Sequence, residues 1–422
     1  MSFKPKVVEL DGLKVVLVKD DRQSVTVQAM IGAGSREEVE TEAGAGHFLE
    51  HFVFKGTQEF PGMFDINEAV EKVGGAYNAY TGYADMGFWV KTDKDNLPLA
   101  AKIVGQLVSK PLLPEKHFSK ERGTILEELA MYEDRPDSKA GMEMWKALFK
   151  NSNIGRSILG TERSLKEMEI SKLTGFMDKW FNKGNMLLGV VGNFSGEKEL
   201  LKLLEKEFAK IIKGRVRVND KDKFSFDSKV NGARRLIKRP VEQANMAMGL
   251  PGIKLTHPLR YALYLVNYFL GGSTISRLFK EVREKRGWAY SIGSGTESFV
   301  DVGAVEIGAG LPKEKFKDAM GLIFEIMWGL GESGKWGVTE EELEVAKQGY
   351  KGRVSLNFDK PEKVLGYALH DLMFEGMIYT PDEIKKMVEE VTLREVREVC
   401  RLIFNPEKVN LAVVGDYQEM NI

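Results

Sequence analysis

One cysteine, five histidines and no long apolar run narrow the field for this 422-residue chain before any motif is read. The single Cys400 excludes an internal disulfide framework and any zinc site built on several thiolates, and it fits a reducing compartment. No segment approaches the roughly twenty consecutive apolar residues that a membrane span requires, so no membrane partner is expected. With 61 Lys and Arg against 62 Asp and Glu, the formal net charge is −1 and the pI is near 6.6. Such a balance offers no broad field to attract nucleic acid or anionic lipid. The opening residues Met1 to Asp11 have neither a signal-peptide core nor an Arg-rich amphipathic presequence, so a cytoplasmic location is the expectation. What the chain does have is apolar material: 43% of it is hydrophobic, enough to fill the cores of about two to four domains.

The scarce histidines are not scattered. His47 and His51 fall within Gly44-Ala45-Gly46-His47-Phe48-Leu49-Glu50-His51-Phe52-Val53-Phe54. On a helix, residues four apart face the same way, so the two imidazoles and the intervening Glu50 share one arc. Phe48, Leu49, Phe52, Val53 and Phe54 occupy the remaining faces, the pattern of a buried helix. Polar groups in such a place need partners, because each one left unpaired costs about 2–7 kcal/mol. Zn²⁺ is a suitable partner, since it takes neutral imidazole nitrogen and, when catalytic, binds three protein ligands beside one open position. H-x-x-E-H is the inverted zinc-peptidase motif, in which the two His hold metal and the Glu is the general base toward water. The competing reading is a pair of satisfied core histidines beside a solvated Glu. His117, His257 and His370 stand alone and are expected to be structural or solvent-facing.

A further polar group sits oddly in a second helix, for which Ser119 is a good N-cap and which runs to Tyr132. At 100° per residue, Glu121, Ile125, Glu128 and Tyr132 share one narrow face, Leu129 borders it, and Glu127 points elsewhere. A carboxylate inside an apolar stripe is expensive unless something such as a metal accounts for it. Periodicity leaves the opposite reading, a solvated acidic face, equally open.

Residues 7–34 read as two strands around a charged turn, 64–73 as a helix, and the stretches around 76–81 and 88–92 as adjacent strands. The segment Asn185-Met186-Leu187-Leu188-Gly189-Val190-Val191-Gly192 returns as Val409-Asn410-Leu411-Ala412-Val413-Val414-Gly415, each copy preceded by an amphipathic helix, which implies a duplicated domain. Between the copies, 213–232 is charged and lacks core periodicity, so it reads as a linker separating domains at 1–212 and 233–422. In the second half, strands near 244–248 and 304–307 flank helices near 259–270 and 275–284. The expected fold class is α+β: two homologous domains, each a mainly antiparallel mixed sheet packed with helices. Gly329 to Trp336 comes near a phosphate-binding loop, but Trp336 stands where Ser or Thr would hold Mg²⁺ and a helix precedes it, so no nucleotide site is expected.

With these residues in view, the chain resembles the pitrilysin, insulin-degrading enzyme and mitochondrial processing peptidase family, specifically its smaller two-domain branch, over nearly its full length. The resemblance rests on Gly46-His47-Phe48-Leu49-Glu50-His51 with Phe54-Lys55-Gly56-Thr57 after it. It implies a LuxS/processing-peptidase-like metallohydrolase fold and one Zn²⁺ per chain. The family's third ligand is a Glu with 76 residues between it and the second His, which falls on Glu128. Glu121 matches the acidic residue that supports the metal site.

In the second half, Ser276 to Ser291 is similar to the family segment in which an Arg and a Tyr stand seven apart, here Arg283 and Tyr290. By themselves these residues read as a solvated helix position and a half-buried strand position. The resemblance implies that they reach the active site from the opposite domain and stabilise the substrate carbonyl and developing oxyanion. Tyr77-Asn78-Ala79-Tyr80-Thr81 looks like the family's edge strand, which would make Asn78, Ala79 and Tyr80 the substrate-pairing residues. Ala84-Asp85-Met86-Gly87-Phe88-Trp89 departs from the family in lacking the Thr that commonly precedes the aromatic, which bears on side-chain preference. The expectation is a zinc metallo-endopeptidase acting on unfolded or short peptides, with Glu50 as base. Because one chain carries both the zinc motif and the Arg-Tyr pair, a homodimer enclosing a chamber is expected. Its rivals are a processing peptidase for one precursor and a non-catalytic scaffold subunit of a heteromer.

Overall fold

The computed structural model describes residues 4–214, 224–226 and 231–417. In the first of two sheets, β1 (Lys6–Leu10), β2 (Leu13–Lys19), β3 (Ser24–Ile31), β4 (Ala76–Thr81), β5 (Met86–Asp93) and β6 (Met186–Gly192) are ordered β1-β2-β6-β3-β5-β4. In the second, β7 (Arg234–Lys238), β8 (Gln243–Gly252), β9 (Ser291–Ser298), β10 (Gly303–Pro312) and β11 (Asn410–Gly415) are ordered β7-β11-β8-β10-β9. Without β1 the two orders match strand for strand. β2 is parallel to β6 and β7 to β11, while the other pairs are antiparallel. The repeated sequence motif forms β6 and β11, which hold the same place in each sheet, so the duplication is visible as topology. The fold is α+β with mixed sheets, as the sequence implied.

β1 has no counterpart in the expectations above. It pairs with β2 across Asp11 and Gly12, both at positive φ (49° and 86°), which is the geometry an Asp-Gly hairpin turn favours.

The chain forms two compact units, one of Met1–Leu129, Arg156–Asp222 and Leu356–Pro381, the other of Ala130–Gly155, Lys223–Ser355 and Asp382–Ile422. In the first unit, α1 (Ala45–Phe52), α2 (Asp65–Glu71) and α3 (Leu97–Ser109) pack on the β3, β4 and β5 side of the sheet, and the helix Pro361–Phe374 lies across β2, β3 and β6. With both faces covered, every residue of β6 is buried, which explains its nearly unbroken apolar sequence. α4 (Glu115–Asp134) follows α3, and after it α5 (Pro136–Leu148) lies across β8 and β11 of the second unit. The helices Arg260–Leu270, Phe316–Gly329 and Leu393–Ile403 complete that unit's core. Each sheet therefore takes one covering helix from the other half of the sequence.

Of the expected linker 213–232, residues 215–223 and 227–230 lie outside the described residues. Phe224 and Phe226 are packed, with ring centroids 5.6 and 5.4 Å from Phe149, and the Phe224 N–H donates to Asp301 Oδ2 at 3.0 Å. The charged stretch thus contains an aromatic anchor to the second unit. α4 begins at Glu115 rather than Ser119, immediately after Pro114, whose fixed φ suits a helix entrance. The expected helix 275–284 closes as a π-helical segment, Phe279–Glu284, with Lys285 N–H donating five residues back to the Lys280 carbonyl. Among the described residues, no helix is long and apolar enough to cross a membrane.

Candidate metal centre

α1 is positioned by its apolar faces. Phe48, Leu49 and Phe52 are fully buried, and Phe48 stacks on Phe118 of α4 at a centroid distance of 4.9 Å, with Phe52 5.6 Å from the same ring. This aromatic cluster locks α4 against α1. One α-helical turn is about four residues, so the face of α4 that carries Phe118 presents Glu121, Ile125 and Glu128 along its length. Glu121, Ile125 and Leu129 are buried as the periodicity suggested, whereas Tyr132 is exposed.

The polar arc of α1 meets this face. His47 Nε2 lies 3.7 Å and His51 Nε2 3.6 Å from Glu128 Oε2, and the two imidazole centroids are 4.7 Å apart. The donor atoms of His47, His51 and Glu128 all fall within 4.8 Å of one another. His51 Nδ1 is 3.1 Å from Glu121 Oε1, and Lys55 Nζ lies 2.8 Å from Glu121 Oε2.

These contacts split the titration of the two rings. Burial, aided by the His51 charge, pushes His47 down to about 4, so its imidazole is neutral and available as a ligand. The hydrogen bond that His51 Nδ1–H donates to Glu121 raises His51 despite burial, with the charges of Glu128, Glu121 and Glu50 acting in the same direction. Burial opposes ionisation of Glu121, but its bonds to His51 and Lys55 prevail and hold its carboxyl below the ordinary value.

The donor set fits a zinc ion. Two imidazole nitrogens and a carboxylate oxygen are a known catalytic ligand set, and ligands on a tetrahedral ion at about 2.0–2.1 Å stand about 3.3 Å from each other. The 3.6–3.7 Å separations here are near that value and too long for direct hydrogen bonds between the groups. His51 also shows the carboxylate support on its other nitrogen that metal-binding histidines generally have.

Glu50 lies on the flank of the arc and faces a cavity of about 470 Å³. The cavity is also lined by His51, Glu121, Phe54, Phe64 and Tyr77 and by Asn78 and Ala79 of β4, which is the edge strand of its sheet. Burial raises the Glu50 carboxyl, opposed by the Thr81 hydroxyl and His51. Tyr80 is on the same strand, but its ring lies over Gly87 and its hydroxyl donates to Asp85 Oδ2 at 2.8 Å.

The description "Insulinase (Peptidase family M16)" matches residues 14–162, which contain this centre, and "Peptidase M16 inactive domain" matches 168–350. An uncharacterized zinc protease of Mycobacterium leprae is 31% identical over 400 residues, covering 94% of this chain and 87% of the relative. The chain belongs to the insulinase family, peptidase family M16. Another relative, an uncharacterized zinc protease of Bacillus subtilis, is 30% identical over 96% of each chain. In three dimensions, a protease from Helicobacter pylori superposes with a TM-score of 0.86 at 20% identity, covering 98% of this chain and all of the other, which shows a shared fold.

In this M16 chain the Arg-Tyr pair lies in the second unit. The Arg283 guanidinium sits 4.7 Å from the Phe279 ring and 5.9 Å from the Tyr290 ring, so Phe279 and Tyr290 flank it, and Tyr290 is 78% exposed. Arg283 is carried by the π-helical segment, an irregularity often found at functional sites.

Sequence reasoning missed Glu38, which is buried beneath the start of α1 and accepts the N–H groups of Gly44 and Gly46. Burial pushes its carboxyl up to about 8, against those two N–H groups and the Arg156 charge. The signal for it was an absence, since the residue preceding α1 is a glycine that has no side chain with which to cap.

Proposed function

We propose that this protein is a zinc metallo-endopeptidase that hydrolyses unfolded or short peptides. The observation that carries the reading is the convergence of His47, His51 and Glu128 donor atoms, with Glu50 beside them at a cavity. The relatives' printed name, zinc protease, agrees with that donor set. One Zn²⁺ per chain, held by His47, His51 and Glu128, would supply Lewis acidity toward a peptide carbonyl and toward water.

The remaining steps belong to the chain's own residues. A Glu50 carboxylate oxygen takes a proton from the attacking water and returns it to the nitrogen of the leaving amine. Burial of Glu50 brings its carboxyl closer to neutrality, which suits a group that must both accept and release a proton. Glu121 fixes the orientation of the His51 ring. Asn78, Ala79 and Tyr80 of β4 offer backbone groups at a sheet edge to an extended peptide, a mode that reads backbone shape more than side-chain identity. The Tyr290 hydroxyl and Arg283 guanidinium donate to the carbonyl oxygen as negative charge develops on it. Because one chain carries both the metal motif and the Arg-Tyr pair, the assembly is a homodimer whose domains enclose a chamber and select substrates by length and flexibility. The lone Cys400 accords with a cytoplasmic setting.

Zinc content and cleavage of an unstructured peptide, measured for wild type and Glu50→Gln, test the reading. Both proteins should hold zinc at one per chain and only wild type should cleave. Cleavage surviving in Glu50→Gln removes Glu50 as the base, and a wild type without zinc removes the metal centre. Turnover across unrelated peptides separates a general peptidase from one that trims a single precursor, and gel-filtration mass tests the dimer.

A further inference from the structure

The two histidines of α1 are held in different ways. The His51 ring is fixed by Glu121, whereas Nδ1 of His47 is buried with no hydrogen-bond partner among the described residues. The place of the His47 ring therefore depends on where the backbone of α1 begins, and His47 is only the third residue of that helix.

That beginning lacks a cap of its own. Gly44 precedes the first turn with φ at 91°, and a Cβ on it would sit 2.7 Å from the Leu159 carbonyl oxygen. No Ser, Thr, Asp or Asn can stand there to satisfy the first amides. Glu38 does so from outside the helix. It is 1% exposed, its Oε2 accepts from Gly44 N–H at 2.7 Å, and its Oε1 accepts from Gly46 N–H at 2.8 Å. Glu38 is itself anchored, since Arg156 donates to its carbonyl oxygen at 2.5 Å. The same turn is held from the other side, where Ser164 Oγ donates to the Ala43 carbonyl at 2.7 Å.

We propose that Glu38 is a positioning residue of the metal centre: by holding the Gly44 and Gly46 amides it sets the start of α1, and thereby the place of His47 opposite Glu128. This rests on the zinc reading above. The Glu38 side chain does for His47, through the backbone, what Glu121 does for His51 through the ring. Loss of such support around a ligand lowers metal affinity by about 10–100-fold in other metal sites.

The test uses the full-length protein stripped of metal, with Glu38→Gln, which keeps one acceptor, and Glu38→Ala, which keeps none. Zinc dissociation constants come from chelator competition, coordination geometry from the d–d absorption of bound Co²⁺, and folding from circular dichroism and the thermal midpoint. Val190→Ala, a truncation in β6 away from α1, serves as a control for destabilisation alone. The expected result is zinc binding weakened about threefold to tenfold in Glu38→Gln and about 10–100-fold in Glu38→Ala, with altered Co²⁺ absorption and no such change in Val190→Ala. If Glu38→Ala does not fold, Glu38→Gln decides the matter. Affinity within twofold of wild type in the folded variants, or an equal loss in Val190→Ala, overturns the positioning role. A wild type that binds no zinc overturns the metal reading instead.

Discussion

His51 and Glu121 are joined ring to carboxylate, Nδ1 to Oε1 at 3.1 Å, and Lys55 holds the other oxygen of the same carboxylate at 2.8 Å. Glu121 thus has one oxygen committed to orienting the ring and one committed to a cation, and it is 5% exposed. His47, more deeply buried than His51, has no such partner on its second nitrogen among the described residues.

Removing this support should weaken metal binding without emptying the site. Glu121→Ala is expected to raise the zinc dissociation constant about 10–100-fold, and Glu121→Gln less, because its amide oxygen still accepts from His51 Nδ1–H. Chelator competition on the two variants checks this. Wild-type affinity in Glu121→Ala would mean that the bond to His51 contributes nothing to the centre.

The opposite shifts of the two rings predict how zinc is lost in acid. A proton competes with the metal for an imidazole only near or below that ring's own pKa. His51 is raised above 6.5 by its bond to Glu121, so it competes for a proton through the neutral range; His47, held at about 4, does not. A plot of log dissociation constant against pH should therefore rise by one proton per metal as pH falls through neutrality, and turn to two protons only as pH approaches about 4. Glu121→Ala removes the largest cause of the His51 shift, the hydrogen bond, and should move the first bend to lower pH. Two protons displaced throughout pH 5–7 would contradict the assignment.

The centre was legible because its geometry is local. His47, Glu50 and His51 lie within five residues, and helical spacing alone puts them on one arc. Glu128 was only half legible, since periodicity placed it on an apolar face but could not say which helix that face would meet; Phe118 stacking on Phe48 decides that. Glu38 was not legible at all. A side chain that caps a helix six residues later in sequence leaves no periodic signature, and only the missing cap at Gly44 hints at it. The repeated apolar segment announced two equivalent sheets, but nothing in the sequence showed that each would be covered by a helix from the other half of the chain. That exchange depends on which sheet face is free when α5 and Pro361–Phe374 pack, a property of tertiary contact.

Cys400 should be inert in the folded protein. Burial pushes its thiol from 9.0 up to about 12, although Arg277 and Arg401 pull it down, and the thiolate is the reactive form. At pH 8 the raised value leaves about a thousandfold less thiolate than the ordinary one. Labelling by a disulfide reagent at pH 8 should follow the unfolded fraction through a urea titration and be negligible before it. Rapid labelling of the native protein would show that the thiol is accessible.

The exchanged helices make a prediction whose sign differs between glycines. A Cβ at Gly189 on β6 would lie 2.7 Å from Leu365 Cδ2 of the helix Pro361–Phe374, and one at Gly249 on β8 would collide with Met144 Sδ of α5. A Cβ at Gly295 on β9 would meet nothing within 4 Å. All three are strand positions, where valine has the better intrinsic preference and glycine the greater entropy to lose on folding. On propensity alone, Val at each site should stabilise by up to about 1 kcal/mol. Contact reverses the sign at two of them, because inserting methyl groups under a packed helix costs about 1–3 kcal/mol. Gly189→Val and Gly249→Val should lower the thermal midpoint, whereas Gly295→Val should leave it unchanged or raise it. Three variants shifting in the same direction would mean that the helices do not rest on Gly189 and Gly249 as the structure has them.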